Sequence, residues 1–128
     1  MTREDFFEYC LETYGTTPDF PFEDSYYSTV AVFRHVMNRK WYAVAMKVQA
    51  SKLGLDGDGA IDIINVKIPV EMFGSFGKAD GVYPAYHMNK AHWVSVVLER
   101  ATPDTVAFLT AASYEVTRPK KRKVKREK

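Results

Sequence analysis

The chain has 128 residues and a mass of 14.6 kDa, the size of one ordinary domain, which excludes a multidomain enzyme or a repeat array. At 46% hydrophobic, 14% aromatic and 27% charged residues it carries enough apolar surface for one core, and no run approaches the roughly 20 apolar residues of a membrane span. The net charge of +2 hides a divided chain: residues 118–128 carry +7 and residues 1–117 carry −5, so attraction to phosphate is concentrated at the carboxyl end.

The single cysteine, Cys10, rules out an internal disulfide or a cysteine-rich zinc site, so stability must come from packing. With a charged opening and no apolar segment behind it, the sequence reads as a soluble cytoplasmic protein. Two units are expected, a folded domain over 1–117 and a disordered basic tail over 118–128, in which only Val124 is apolar after Pro119.

In chain order, Thr2 is a candidate N-cap, with Glu4 and Asp5 placed to oppose the positive end of a helix dipole. Phe6, Phe7, Cys10, Leu11 and Tyr14 recur at helical spacing, and Gly15 supplies a left-handed stop. Pro18 and Pro21 then impose a loop, in which Phe20 and Phe22 are expected to tuck inward. Residues 28–35 and 41–48 alternate as two strands about the polar turn Asn38-Arg39-Lys40, a β-hairpin.

The glycines and aspartates of 53–59 make a turn. An EF-hand reading of Asp56, Asp58 and Asp62 is set aside, because Ile61 stands where that loop needs glycine and Lys67 where it needs glutamate. Residues 60–68 form a third strand, Pro69 opens a short helix reaching about Phe76, and 94–98 alternate as a fourth strand. Thr102, Pro103 and Asp104 start a last helix, with Val106, Leu109, Ala112, Ser113 and Val116 on one face and Pro119 as its stop. This order favours an α+β domain: an antiparallel sheet with helices packed on one face.

The densest polar and aromatic cluster is Tyr86-His87-Met88-Asn89-Lys90-Ala91-His92-Trp93. As a binding site it would use Lys90 for phosphate, Asn89 for hydrogen bonds, and Tyr86 or Trp93 for stacking. As a metal site it would pair His87 with His92 and still need further ligands, for which Asp80 or Glu71 would have to fold close. A catalytic site lacks a marked nucleophile, so the sequence points away from an enzyme and names no cofactor. The bland alternative is that His92 and Trp93 anchor a loop beneath the sheet and only Lys90 is solvated.

This run, with the first helix, the Asp19-Phe20-Pro21-Phe22 loop, the Ile68-Pro69 helix start and Ser113-Tyr114, resembles the MmcQ/YjbR-like family over about residues 2–117. The resemblance implies a small bacterial cytoplasmic protein with a two-layer fold similar to the frataxin (CyaY-like) arrangement. It also implies a double-wing surface proposed to bind DNA, and brings no catalytic activity. On that basis Arg34, Arg39 and Lys40 of the hairpin, with Lys90, are the expected nucleic-acid contacts, the tail adding nonspecific attraction. The alternative is a small-ligand or protein-partner cleft formed by Tyr86, His87, Asn89, Lys90, His92 and Trp93. A monomer is expected over an obligate oligomer.

Overall fold

In the computed structural model, which describes residues 1–120, the first helix starts and stops on local chemistry the sequence already carries. Helix α1 spans Arg3–Tyr14; the Thr2 hydroxyl accepts from the Asp5 amide at 3.0 Å, and the Asp5 carboxylate accepts from the Thr2 amide at 2.9 Å. The bond from the Thr2 amide, with a smaller contribution from the Thr2 side chain, holds the Asp5 carboxyl below its ordinary pKa. Gly15, at φ +66°, closes the helix by donating to the Leu11 carbonyl at 2.9 Å.

Five strands follow, β1 (Ala31–Arg34), β2 (Trp41–Gln49), β3 (Ala60–Lys67), β4 (Val82–Pro84) and β5 (Trp93–Val97), with the short helix α2 (Phe73–Phe76) between β3 and β4 and the long α3 (Pro103–Thr117) at the end. They form one antiparallel sheet in the order β1-β2-β3-β5-β4. The expected α+β class is therefore the observed one.

The two faces are closed differently. On one, α1 and α3 bury Phe6, Cys10, Val106 and Leu109 against Phe33, Tyr42, Ile64, Val66 and Val96. Phe6 meets Phe33 edge-on at 5.4 Å, and Tyr14 stacks on Tyr114 at 4.2 Å. The opposite face buries Val32, Val44, Met46, Val48, Ile63 and Val97 without any α-helix. Loops and the short 3-10 helix Ala50–Leu53 cover it, through Tyr27, Leu53, Leu55 and Tyr86. A register irregularity after Phe33 pairs Arg34 with Trp41, so that Tyr42 and Ala43 both turn to the helix side and Trp41 turns to the loop side.

Several expectations are corrected. Leu11 (51% exposed) and Val116 (43%) face solvent, because Phe6 with Cys10 and Leu109 with Ser113, each pair four residues apart, already fill the line each helix presents to the sheet. Ser113 is buried in α3 as expected, and Thr110 and Thr117 are buried with it, the three hydroxyls donating to the carbonyls of Tyr42, Val106 and Ser113 respectively. Phe20 and Phe22 do not tuck inward; they are 51% and 40% exposed. Residues 28–30 lie in the turns of the preceding loop, so β1 is shorter than expected. The edge strand β4 was unforeseen, since three residues ending in a proline carry no periodic signal. Tail residues 121–128 lie outside the described residues, and among those described no helix is long and apolar enough to cross a membrane.

Two buried groups on the helix side give direct tests. Desolvation raises the Cys10 thiol to about 12, so it is expected to react with a disulfide reagent only as fast as the protein unfolds; a native thiol titrating within seconds would contradict this burial. His35 is also buried, with Nε2 at 2.9 Å from the Thr117 hydroxyl and its ring 4.1 Å from that of Tyr114. Thr117 spends its one proton on the Ser113 carbonyl, so the His35 Nε2–H donates to it. Desolvation lowers the His35 pKa from its ordinary 6.5. A base depressed in the folded state binds its proton more readily when unfolded, so stability is full above about pH 6.5 and falls as the pH drops below that value. Urea midpoints measured from pH 8 to pH 5 should show this decline, and His35→Gln should flatten it.

Candidate functional site

The loop-covered face holds the site. Near the middle of β3, in an otherwise apolar run, stands Asn65, buried and paired across the sheet with Ser95 of β5. The Ser95 hydroxyl donates to Asn65 Oδ1 and accepts from the Tyr86 amide at 2.8 Å, while Asn65 Nδ2 donates to the Tyr86 carbonyl at 3.0 Å. Both backbone groups of Tyr86 are thus pinned to the sheet, and each buried polar atom of the trio has a partner. The next residue, His87, adopts φ +59°, a left-handed conformation that costs a non-glycine residue about 1–2 kcal/mol. The pinned Tyr86 holds it there.

The rest of the 85–92 loop closes on itself. Asn89 Oδ1 accepts from the Ala91 amide at 2.9 Å, and its carbonyl accepts from His92 and Trp93 at 3.1 and 2.9 Å. The His92 carbonyl receives the Ile68 amide at 2.9 Å, joining the loop to the end of β3.

A second loop approaches from the β1 side. It is tightened by bonds from the Tyr26 amide to the Asp24 carboxylate (2.7 Å) and from the Tyr27 amide to the Asp24 carbonyl (3.0 Å). The Arg3 guanidinium ties it to α1 by donating to the Thr29 carbonyl. Between the two loops lies an open cleft of about 390 Å³. Its floor is Val44, Met46 and Asn65; Phe22, Tyr27 and Trp41 stand on one side and His87 and Met88 on the other. Nearly all of this lining is apolar, and the volume falls within the range of small-molecule sites. Outside it, Arg34 lies over the Trp41 ring, its Cζ 5.4 Å from the centroid.

Of the residues singled out from sequence, His87 lines this cleft and Tyr86 anchors its wall. Asn89 is occupied in a turn, His92 is exposed, and Trp93 is half-buried on β5 opposite Lys67. Lys90 lines a separate depression with Lys52 and Tyr86. The hairpin bases lie elsewhere: Arg34 Nε is 3.0 Å from the Asp19 carboxylate, Arg39 reaches the same carboxylate at 3.8 Å, and Lys40 is exposed. Asp19 partly neutralises both arginines, and neither shares a depression with Lys90. Among the described residues no three His, Cys, Asp or Glu side chains converge as metal ligands. Sequence reasoning missed Trp41, Val44, Met46 and Asn65; the one signal was Asn65 itself, a lone amide within Ile63-Ile64-Asn65-Val66.

An antiparallel sheet with its three α-helices on one face and a loop-walled cleft on the other defines a small α+β domain built around a concave apolar surface. The YjbR family model matches residues 11–116, and the chain belongs to that family. It is 44% identical over 119 residues to YyaQ of Bacillus subtilis (strain 168), an uncharacterised protein, covering 92% of this chain and 99% of that one. A crystal structure of a Pseudomonas syringae protein superposes with a TM-score of 0.87 at 42% identity, over 92% of this chain and all of that one. A Deinococcus radiodurans protein is more distant, with a TM-score of 0.63 at 25% identity, over 90% of this chain and 77% of that one.

Proposed function

We propose that this protein is a small-molecule-binding domain whose ligand lies in the cleft between the 22–30 and 85–92 loops. One observation carries the reading: the cleft is open and apolar, while the wall that forms it is fixed by a fully satisfied polar anchor at Asn65 and Ser95. A preformed cavity spares the ligand the cost of ordering its own site. The reading assigns no catalytic step and no cofactor. It takes the protein as cytoplasmic and as a monomer, the monomer being supported by blunted sheet edges: Asp19 bridges the outer side of β1, and β4 is three residues long and ends in proline.

Titration with the uncharged fluorophore N-phenyl-1-naphthylamine tests the proposal. Saturable binding is expected, about tenfold weaker in Phe22→Ala and in Met88→Glu, two changes at the rim that spare the core. Equal affinity in all three proteins would overturn it.

A specific contact supports a second reading, sequence-independent binding of nucleic acid at the hairpin tip. Asn38 Nδ2 donates to the Thr117 carbonyl at 3.1 Å and His35 bonds the Thr117 hydroxyl, which ties the hairpin turn to the residue preceding the basic run 118–128. Arg39 and Lys40 are thereby carried on the turn next to the start of that run. If this surface contacts phosphate, the full-length double variant Arg39→Glu/Lys40→Glu should bind a labelled duplex with a salt slope lower by about 2. An unchanged slope would leave any DNA affinity to the basic run alone.

A further inference from the structure

The chemistry around the cleft extends beyond its apolar floor. A second depression of about 230 Å³ adjoins it, sharing Tyr27, Val30 and Met46, and is lined on its far side by Thr29, Lys47, Gln49 and Lys52. Past Tyr86, Lys52 also borders the small depression that holds Lys90. Residues 1–117 carry 15 acidic side chains against 10 basic ones, yet no Asp or Glu lines the cleft or either adjoining depression. Lys47 is answered by Asp62 at 3.0 Å, whereas Lys52 and Lys90 make no ion pair among the described residues. An aromatic, apolar chamber therefore opens into one that is cationic at its rim and free of carboxylates.

We infer that the ligand is an amphipathic anion, with a flat apolar body between Phe22, Trp41 and Met88 and a carboxylate, sulfonate or phosphate group beside Lys52. This rests on the cleft being a binding site, and adds to it the charge of the ligand and the end at which that charge sits. The apolar body would supply most of the affinity by leaving water. Lys52, being exposed, would supply orientation and a smaller, salt-screened attraction.

Two probes that share one ring system separate the claims in the full chain: 8-anilino-1-naphthalenesulfonate, which is anionic, and N-phenyl-1-naphthylamine, which is neutral. Lys52→Gln should weaken the sulfonate about fivefold, the upper range for one exposed charge pair, with Lys52→Glu weakening it further and both variants leaving the neutral probe unchanged. The difference should shrink in 0.5 M salt, with its sign kept. A sulfonate affinity indifferent to Lys52→Glu, with the neutral probe still bound, would overturn the anion assignment and leave the cleft standing. Weakening of both probes alike would also overturn it, since Lys52 would then act through structure. Failure of the sulfonate alone to bind would overturn the anion assignment, and failure of both probes would remove the cleft reading itself. The basic run is present in every protein compared, so its own attraction for sulfonate cancels.

Discussion

Gly81→Ala is expected to destabilise the protein by about 3 kcal/mol or more, from the left-handed penalty of about 1–2 kcal/mol plus overpacking of about 1–3 kcal/mol. Gly81 leads into β4 at φ +82°, and a Cβ there would stand 2.5 Å from the Ala101 amide nitrogen and 2.9 Å from that residue's Cα and Cβ. The obstacle is backbone held on both sides: the Ala101 amide donates to the Val97 carbonyl, and the Gly81 carbonyl accepts from the Val97 amide at 2.8 Å. Neither segment can retreat without breaking the turn after β5. Gly57 is the control, with φ +107° and nothing within 4 Å of the position a Cβ would take, so alanine there should cost only the conformational share. Urea denaturation of both variants checks the pair, and equal losses would contradict the crowding at Ala101.

Asn65→Leu is the second large effect and the one that couples stability to the site. Leucine keeps asparagine's branched skeleton, with bulkier methyl ends, but donates nothing to the Tyr86 carbonyl and accepts nothing from the Ser95 hydroxyl. Leaving those two groups unanswered is expected to cost about 2–4 kcal/mol, on the scale of roughly 1–3 kcal/mol for each buried polar group left unpaired. The 85–92 loop would lose the bond that fixes its start, and His87 would have no reason to keep its left-handed conformation. Denaturant unfolding should show the stability loss, and binding of N-phenyl-1-naphthylamine should weaken by about tenfold in the folded variant. A destabilised protein with undiminished affinity would mean that the cleft does not depend on the anchored loop.

Much of the fold was legible in the residues because its signals are local. Thr2, Asp5 and Gly15 delimit α1, the alternation of Val30 to Phe33 separates the two faces of the sheet, and Thr102 with Pro103 opens α3. What escaped was set by tertiary contact. A three-residue edge strand exists because β5 offers it partners, and Thr110 can be buried because the Val106 carbonyl takes its proton.

The site divides the same way. The segment 86–93 stood out by composition, but its residues separate once folded: His87 lines the cleft, Asn89 shapes a turn, and Lys90 borders another depression. The aromatic wall comes from residues far apart in sequence, and only the sheet register and the irregularity after Phe33 bring Trp41 onto the face shared with Met46 and Asn65. No periodicity in the chain announces that meeting.

The most direct test of the central claim is an amide and side-chain NMR titration of the full chain with N-phenyl-1-naphthylamine. The account predicts saturating shifts confined to the cleft: the Trp41 indole, Tyr27, Val44, the Met46 and Met88 methyls, the Asn65 side-chain amide and His87. Shifts centred on the α1 and α3 face, or scattered without saturation, would contradict it.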